Sequence, residues 1–146
     1  RELKVELSFA WGGVINHEIY FSHLGGKGGT ANGKLLKQIE KDFGSFENYK
    51  KDLKATGISA RGWVWTGFNY REGRLFNYLG DSQNTFSMWG VDPILALDTY
   101  EHAYFIDYGI SRANYIEAFF ENLDWKIIEE NFQDLVGCCR EDCQCE

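Results

Sequence analysis

The sequence has almost no proline and keeps cysteine out of most of its length. Its one proline is Pro93, and its four cysteines all follow residue 137. A body without cysteine excludes a fold held together by disulfides, and scarce proline suits a helix-rich chain. No apolar stretch is long enough to cross a bilayer as a helix, so we expect no transmembrane segment and no membrane partner.

The cysteines define a separate tail at residues 137–146, where they are Cys138, Cys139, Cys143 and Cys145. Such a tail could be a metal-binding tag, a redox pair or a reactive appendage. The spacing matches no standard zinc pattern and includes no histidine. We therefore favour a solvated tail of reduced thiols.

Basic residues are also few: the sequence has 15 Lys and Arg against 22 Asp and Glu, which gives a net charge of −7. This excess makes nucleic acids and anionic membrane surfaces poor partners. An anionic substrate would need local basic residues to overcome the repulsion. The sequence starts at Arg1 without methionine or a signal peptide. We expect a cytoplasmic location, with any N-terminal targeting information missing from this sequence.

Aromatic residues are abundant, with five Trp, eight Tyr and eleven Phe among 146 residues. This length is enough for one domain with a substantial core, where most of these rings belong. A dense aromatic set can also separate a small reactive site from water.

The first part of the chain is predicted to be helical. Residues 1–24 read as a helix interrupted at Gly12-Gly13. The glycine-rich segment 25–29 reads as a flexible connector, since it neither follows a strand nor carries the Lys-Ser/Thr pair of a phosphate loop. Apolar positions from Leu35 to Phe43 lie on one face of a second helix. Ser45 is the predicted N-cap of a third helix, which would run to about residue 55.

A small sheet and two more helices complete the prediction. The β-rich runs 63–68 and 75–79, joined by a turn at 71–73, indicate a hairpin. The apolar run 93–97 is a third strand. Helices are expected at 112–122 and, N-capped by Asp124, to about residue 135. This order predicts an α+β fold in which helices flank a small antiparallel sheet.

Asp98 and His102 are the strongest candidates for a metal site. Asp98 directly follows a buried apolar run, where an unpaired carboxylate would be costly. A helical turn over residues 98–102 would place both side chains on one face, where they could share a metal. The alternative is a capping aspartate beside a surface histidine, since single pairs at this spacing are common.

The two other histidines are less distinctive. His17 is flanked by apolar residues, and a lone histidine there is more often a satisfied core group than a ligand. No second histidine follows it at the spacing of a zinc protease. His23 ends the same segment near the glycines, and we interpret it as a surface residue.

The segment Asp98-Thr99-Tyr100-Glu101-His102-Ala103-Tyr104 resembles the D-x-W-E-H-A-Y signature of the manganese/iron superoxide dismutases. Further segments resemble the family's motifs in order: residues 12–17 its glycine-rich N-H segment, 42–46 its D-F-G-S-F turn, 62–65 its G-W-x-W strand, and Arg112 with Tyr115 its R-P-x-Y. The resemblance runs from about residue 8 to about residue 132.

The resemblance implies an N-terminal helical hairpin followed by a domain with a three-stranded antiparallel sheet flanked by helices. Residues 1–28 would be the remnant of the hairpin domain, and residues 29–136 the C-terminal α+β domain. The hairpin's first helix, which carries one metal ligand in the family, has no counterpart in this sequence. We favour a fragment of a normal enzyme over a natural degenerate relative.

The family binds one Mn or Fe ion through three histidines and one aspartate, and three of these ligands carry over as His17, Asp98 and His102. Gln83 aligns with the glutamine of manganese-type members that hydrogen-bonds the metal-bound solvent, so Mn is slightly favoured over Fe. The resemblance assigns substrate access and the site wall to Trp63, Trp65, Tyr100 and Arg112, and the dimer interface to Glu101 and Phe105.

The implied activity is the one-electron disproportionation of superoxide to oxygen and hydrogen peroxide, in a homodimer or tetramer. Arg112 would supply local positive charge for the anion. Tyr100 replaces the family's usual Trp, Phe105 a common Tyr and Val14 a frequent His. One alternative is an inactive structural or interaction subunit of the same fold, but such relatives generally lose the ligands. Metal-dependent hydrolysis is a third, without an identifiable general base.

Overall fold

The computed structural model describes residues 1–141, with side chains as far as residue 137. Cys143 and Cys145 of the predicted tail, and the side chains of Cys138 and Cys139, therefore lie outside the described part of the chain. Its elements follow in chain order: helix α1 (Glu2–Ser22), α2 (Gly33–Phe43), α3 (Phe46–Ser59), strands β1 (Trp63–Asn69), β2 (Arg74–Gly80) and β3 (Val91–Asp98), a 3₁₀ turn (Glu101–Ala103), and helices α4 (Phe105–Tyr108), α5 (Arg112–Glu121) and α6 (Trp125–Glu141). The predicted α+β fold class is confirmed. Within residues 1–141, no helix is both long and apolar enough to cross a membrane.

The three strands form one antiparallel sheet in the order β2-β1-β3. The central strand β1 is buried along its whole length except at Asn69, because helices cover both faces of the sheet. Trp63, the first residue of β1, pairs with Gly80 on β2 and with Asp98 on β3. This pairing fixes the end of β3 beside the Trp63 side chain.

Two predicted helix caps are confirmed. The Ser45 hydroxyl accepts a hydrogen bond from the Asn48 N–H at 3.1 Å, and α3 continues to Ser59, a turn beyond the prediction. The Asp124 carboxylate accepts one from the Lys126 N–H at 3.0 Å. Each cap satisfies an amide that the helix itself leaves without a partner.

The cap of α2 comes from another helix. The buried Glu129 of α6 accepts hydrogen bonds from the N–H groups of Lys34 at 2.9 Å and Leu35 at 2.7 Å. Its carboxylate lies where a side chain at Gly33 would be, since a Cβ there would come within 2.3 Å of Glu129 Oε1. A negative charge at a helix N-terminus is also favoured by the helix dipole.

The predicted interruption of the first helix at Gly12-Gly13 is wrong, because α1 is continuous from Glu2 to Ser22. Gly12 serves packing instead. A Cβ at this position would lie 2.2 Å from the carbonyl oxygen of Gln83, in the loop between β2 and β3. The absence of a side chain lets the helix lie directly against that loop.

The glycine-rich segment 25–29 is held in place, unlike the flexible connector that was predicted. The N–H groups of Gly26 and Gly28 donate to the carbonyl oxygens of Asn122 at 2.9 Å and Leu123 at 3.1 Å. The segment therefore fixes the end of α1 to the junction of α5 and α6. The domain boundary between residues 28 and 29 stays a prediction.

The prediction that His23 is a surface residue is wrong. Its side chain is fully buried, and its Nε2 accepts a hydrogen bond from the Ala96 N–H on the edge strand β3 at 3.1 Å. Its Nδ1 has no hydrogen-bond partner among the described residues. Burial lowers the pKa of His23 from 6.5 to about 4, so folding favours the neutral ring.

Gly12→Ala is expected to destabilise the fold, with Gly13→Ala as the matched control. The new methyl group at residue 12 would overlap a backbone oxygen, whereas at residue 13 it would lie 3.5 Å from Gln83 Cδ, an ordinary contact. Alanine favours a helix over glycine by about 1 kcal/mol, so Gly13→Ala should not lower stability. Gly12→Ala should lower the free energy of unfolding in urea by about 2 kcal/mol. Equal stabilities would contradict this packing.

Acid is expected to destabilise the protein through His23. Because the folded pKa of about 4 lies below the usual 6.5, the unfolded chain takes up the proton first as the pH falls. The stabilising contribution is complete above about pH 6.5 and is lost between there and about pH 4. His23→Asn keeps an acceptor for the Ala96 N–H and should reduce the loss over that window by about 2 kcal/mol. Urea unfolding across this range measures it, and an unchanged pH dependence would refute the assignment.

Candidate metal centre

Three side chains converge where α1 passes the end of β3. Asp98 Oδ2 lies 3.6 Å from His17 Nε2 and 3.0 Å from His102 Nε2. The candidate ligand atoms all lie within 4.8 Å of one another, close enough to share one ion. Among the described residues, no other three histidine, cysteine or acidic side chains come together in this way.

The end of β3 and the turn that follows position two of these side chains. Asp98 is the last residue of the strand, and its Oδ1 accepts a hydrogen bond from the Tyr100 N–H at 2.9 Å. His102 lies in the 3₁₀ turn that follows. The prediction of a helical turn over residues 98–102 is therefore wrong, because pairing with β1 keeps Asp98 in the sheet. The two side chains meet nevertheless.

A hydrogen bond inside α1 fixes the proton of His17. Its Nδ1 lies 2.6 Å from the carbonyl oxygen of Gly13, one turn earlier. Because a carbonyl can only accept, Nδ1 carries a proton, and in the neutral ring the lone pair then lies on Nε2, the nitrogen that faces Asp98. His17 is therefore in the tautomer needed to bind a metal through Nε2.

The three side chains differ in their exposure. The Asp98 side chain is 2% exposed, that of His17 32% and that of His102 59%, so the group is open to solvent on the histidine side. Burial raises the pKa of Asp98, opposed by the Tyr100 N–H and then by the two imidazoles. A cation at this point would favour the ionised carboxylate and offset its burial.

Aromatic rings hold the two imidazoles in place. The edge of Trp63 meets His17 with ring centroids 5.0 Å apart, and Tyr100 stacks on His102 at 5.4 Å with an interplanar angle of 14°. The imidazoles of His17 and His102 are themselves stacked at 6.0 Å. The rings restrict the rotation of both histidines and exclude water from one side of the group.

Gln83 reaches the site from the loop between β2 and β3. Its Oε1 accepts a hydrogen bond from Trp63 Nε1 at 2.8 Å, and its side chain lies over Gly13. Trp65 holds α1 instead, because its Nε1 donates to Asn16 Oδ1 at 3.1 Å. The structure thus brings Gln83 and Trp63 together beside His17.

The remaining predicted site residues belong to the turn that carries His102 and to helices α4 and α5, which follow it. The guanidinium of Arg112 donates to the carbonyl oxygens of Ala60 and Ile58 at the end of α3, and its Nε donates to the Tyr104 hydroxyl. Its role in guiding an anion stays a prediction. Glu101, in the turn that carries His102, and Phe105, the first residue of α4, are both exposed.

Sequence reasoning missed a set of polar residues on the inner face of α1. Asn16 is buried and donates to the Gln83 carbonyl oxygen at 3.0 Å, and the Tyr20 hydroxyl lies 3.0 Å from that of Tyr115. Together with His23 they recur at i, i+4 and i+7, which marks one side of a helix. That spacing is visible in the sequence, but polar residues in this pattern normally indicate a solvated face.

The chain is similar to known proteins of one family. Residues 31–131 match the family described as iron/manganese superoxide dismutases, C-terminal domain. The chain is 43% identical over 135 residues to the superoxide dismutase [Fe] of Aquifex aeolicus, covering 91% of this chain and 63% of that protein. It is 40% identical over 136 residues to that of Methanothermobacter thermautotrophicus, covering 90% and 66%.

A relative named for the other metal is similar as well. The superoxide dismutase [Mn] 2 of Halobacterium salinarum is 36% identical over 122 residues, covering 83% of this chain and 61% of that protein. The chain spans less than two thirds of the length of each of these three relatives. Since the family match extends over most of its length, this chain belongs to the iron/manganese superoxide dismutase family.

Proposed function

We propose that this chain forms a mononuclear Mn or Fe site that disproportionates superoxide to oxygen and hydrogen peroxide. The observation that carries the proposal is the convergence of two imidazole nitrogens and one carboxylate oxygen within 4.8 Å. Relatives named as superoxide dismutases with Fe or Mn support it.

The ligands fit such an ion. Imidazole nitrogen and carboxylate oxygen together suit divalent and trivalent Mn and Fe. His17 presents the correct nitrogen because Gly13 holds the other, and Asp98 supplies a buried negative charge. When bound, the metal would supply one-electron oxidation and reduction.

The chain's own residues would control protons and water around the metal. Gln83 Oε1 is already bonded to Trp63 Nε1, so its amide N–H groups are left to donate toward a solvent molecule near His17. Trp63 and Tyr100 would restrict access to small species, since both pack directly on ligand histidines. Because Gln83 aligns with the glutamine of manganese-type members of the family, we favour Mn over Fe. Loading the metal-free chain with each ion and comparing activities would test this preference.

A fourth ligand would come from a further helix packed on α1. Apolar side chains follow each other on its outer side at spacings of four and seven residues, and they are exposed: Leu3 by 84%, Leu7 by 57%, Val14 by 50% and Phe21 by 66%. This is the pattern of a helix–helix seam, and His17 lies on the same line. A helix seated there would cover the exposed side of His17, as the family resemblance implies.

A second copy of the chain would cover His102. Large apolar side chains lie exposed next to its turn: Phe105 by 53%, Ile106 by 93% and Ile110 by 96%. Contiguous exposed apolar surface marks an interaction site, and Glu101 borders it. We therefore propose a homodimer through this surface, which could pair further into a tetramer. The alternative of an inactive interaction subunit is not favoured, because the three ligands are kept and converge.

Asp98→Asn is expected to weaken Mn²⁺ binding by at least about 100-fold, because it removes the only negative charge among the ligands. Asparagine retains an acceptor for the Tyr100 N–H, so the fold should persist. Asp52→Asn, at an exposed aspartate outside the site, is the matched control and should bind as the unaltered chain does. Metal content and superoxide consumption would be measured on the same samples.

The unaltered chain, measured in the same experiment, distinguishes the enzyme from an inactive interaction subunit. Bound metal with superoxide consumption would establish the enzyme. If the chain binds no metal, a family-type helix fused ahead of α1 should restore binding to an incomplete enzyme site. If the fusion also fails to bind metal, the enzyme proposal is refuted and the chain would be an interaction subunit.

Ile106→Lys and Glu101→Ala are expected to shift the mass measured by light scattering from dimer toward monomer. The first places a charge in the apolar surface, and the second removes a carboxylate at its border. Ile58→Lys is the control, because Ile58 is also an exposed isoleucine, 48% accessible, on α3. An unchanged mass in both test variants would place the interface elsewhere.

A further inference from the structure

The inner face of α1 is fastened to the rest of the protein by hydrogen bonds from polar side chains. Asn16 bonds with Gln83 and Trp65, and His23 with the backbone of β3. Tyr20 lies between them on the same face, one turn after His17. Since the apolar residues of α1 largely face outward, these polar contacts determine how the helix is rotated.

The Tyr20 hydroxyl begins a chain of two hydrogen bonds that ends on Asp98. The hydroxyl oxygens of Tyr20 and Tyr115 are 3.0 Å apart, and the Tyr115 hydroxyl donates to the Asp98 carbonyl oxygen at 2.8 Å. A carbonyl only accepts and a tyrosine has one hydroxyl proton. Tyr20 must therefore donate to Tyr115, which gives the chain a fixed direction from α1 through α5 to the end of β3.

The surroundings keep this chain rigid and protonated. Tyr20 stacks on Phe119 with an interplanar angle of 2°, and Tyr115 stacks on Tyr104 at 5.2 Å. Both tyrosines are buried, and burial raises the pKa of each, so both hydroxyls remain protonated near neutral pH. Neither ring can turn away without leaving a buried polar group without a partner, which is costly.

We propose that Tyr20 is a positioning residue for the metal centre: through the Tyr115 hydroxyl it fixes the distance between His17 on its own helix and Asp98 at the end of β3. The inference rests on the proposed metal site. It adds a residue whose hydroxyl is hydrogen-bonded to Tyr115 and not, among the described residues, to a ligand side chain, yet which connects the two elements that carry the ligands.

The geometry explains why this connection matters. His17 is the ligand contributed by α1, whereas Asp98 and His102 both belong to the end of β3 and its turn. The His17 Nε2–Asp98 Oδ2 distance of 3.6 Å therefore depends on how α1 lies against β3. Asn16 and His23 hold the helix at other points along its length. Tyr20 instead acts, through Tyr115, on the backbone carbonyl of Asp98.

Tyr20→Phe removes only the hydroxyl and is expected to weaken Mn²⁺ binding by about 10-fold. Tyr49→Phe is the matched control, since Tyr49 is buried and its hydroxyl lies 2.9 Å from that of Thr66, in a contact that touches no ligand. Both variants should lose similar thermal stability. Only Tyr20→Phe should change Mn²⁺ affinity and the shape of the bound-Mn²⁺ EPR spectrum at saturation. Mn²⁺ is the probe because thiolates such as those of the tail do not select it.

If the Tyr20 and Tyr115 hydroxyls act one through the other, the effects of removing them should not add. Tyr115→Phe should weaken Mn²⁺ binding at least as much as Tyr20→Phe, and the double variant should bind no worse than Tyr115→Phe alone. Additive losses would mean that the two hydroxyls act independently and would overturn the chain of bonds.

The metal-free chain provides a readout that does not require the proposed function. The NMR shifts of the Asp98 carboxyl carbon and the His17 ring nitrogens should change in Tyr20→Phe and stay unchanged in Tyr49→Phe. Unchanged shifts and affinity in Tyr20→Phe would refute the positioning role. Changed shifts in a chain that binds no Mn²⁺ would uphold that role and refute the metal site instead.

Discussion

The position of α1 against the edge of the sheet is the constraint on which the site depends. Asp98 and His102 come together through local chain geometry, since a strand end and the turn after it are covalently close. His17 belongs to a helix that ends more than seventy residues earlier in the sequence. The three candidate ligands meet because α1 passes β3 in one particular orientation.

Hydrophobic burial alone would not choose that rotation. The apolar residues of α1 are mostly exposed, while Asn16, Tyr20 and His23 are buried. A buried polar group is costly unless it has a hydrogen-bond partner. Rotating α1 would break these hydrogen bonds, so other rotations are disfavoured more strongly than apolar contacts alone would disfavour them. The same rotation turns Leu3, Leu7, Val14 and Phe21 outward, which is why a further helix is an economical explanation for that surface.

The elements that could be predicted from the sequence are those specified locally. The Ser45 and Asp124 caps and the hairpin turn at residues 71–73 depend on neighbours in the chain, and the motif at residues 98–104 indicated two candidate ligands together. The failures were tertiary. Gly12 allows close contact with a distant loop, and His23 satisfies the edge of β3. Neither effect can be detected from the spacing of hydrophobic residues. That spacing also predicts the orientation of α1 poorly, because the polar face of this helix points inward.

The buried carboxylate of Asp98 connects the site to the stability of the fold. In a chain of net charge −7, this carboxylate is hydrogen-bonded, among the described residues, to one backbone N–H and to the His102 imidazole. The hydrogen bonds from Tyr100 and the nearby rings reduce the cost of its burial without removing it, as the raised pKa of Asp98 shows. A bound cation would supply the missing compensation. Metal affinity and folding stability would then be coupled, because the arrangement that destabilises the metal-free fold is the one that would bind the ion.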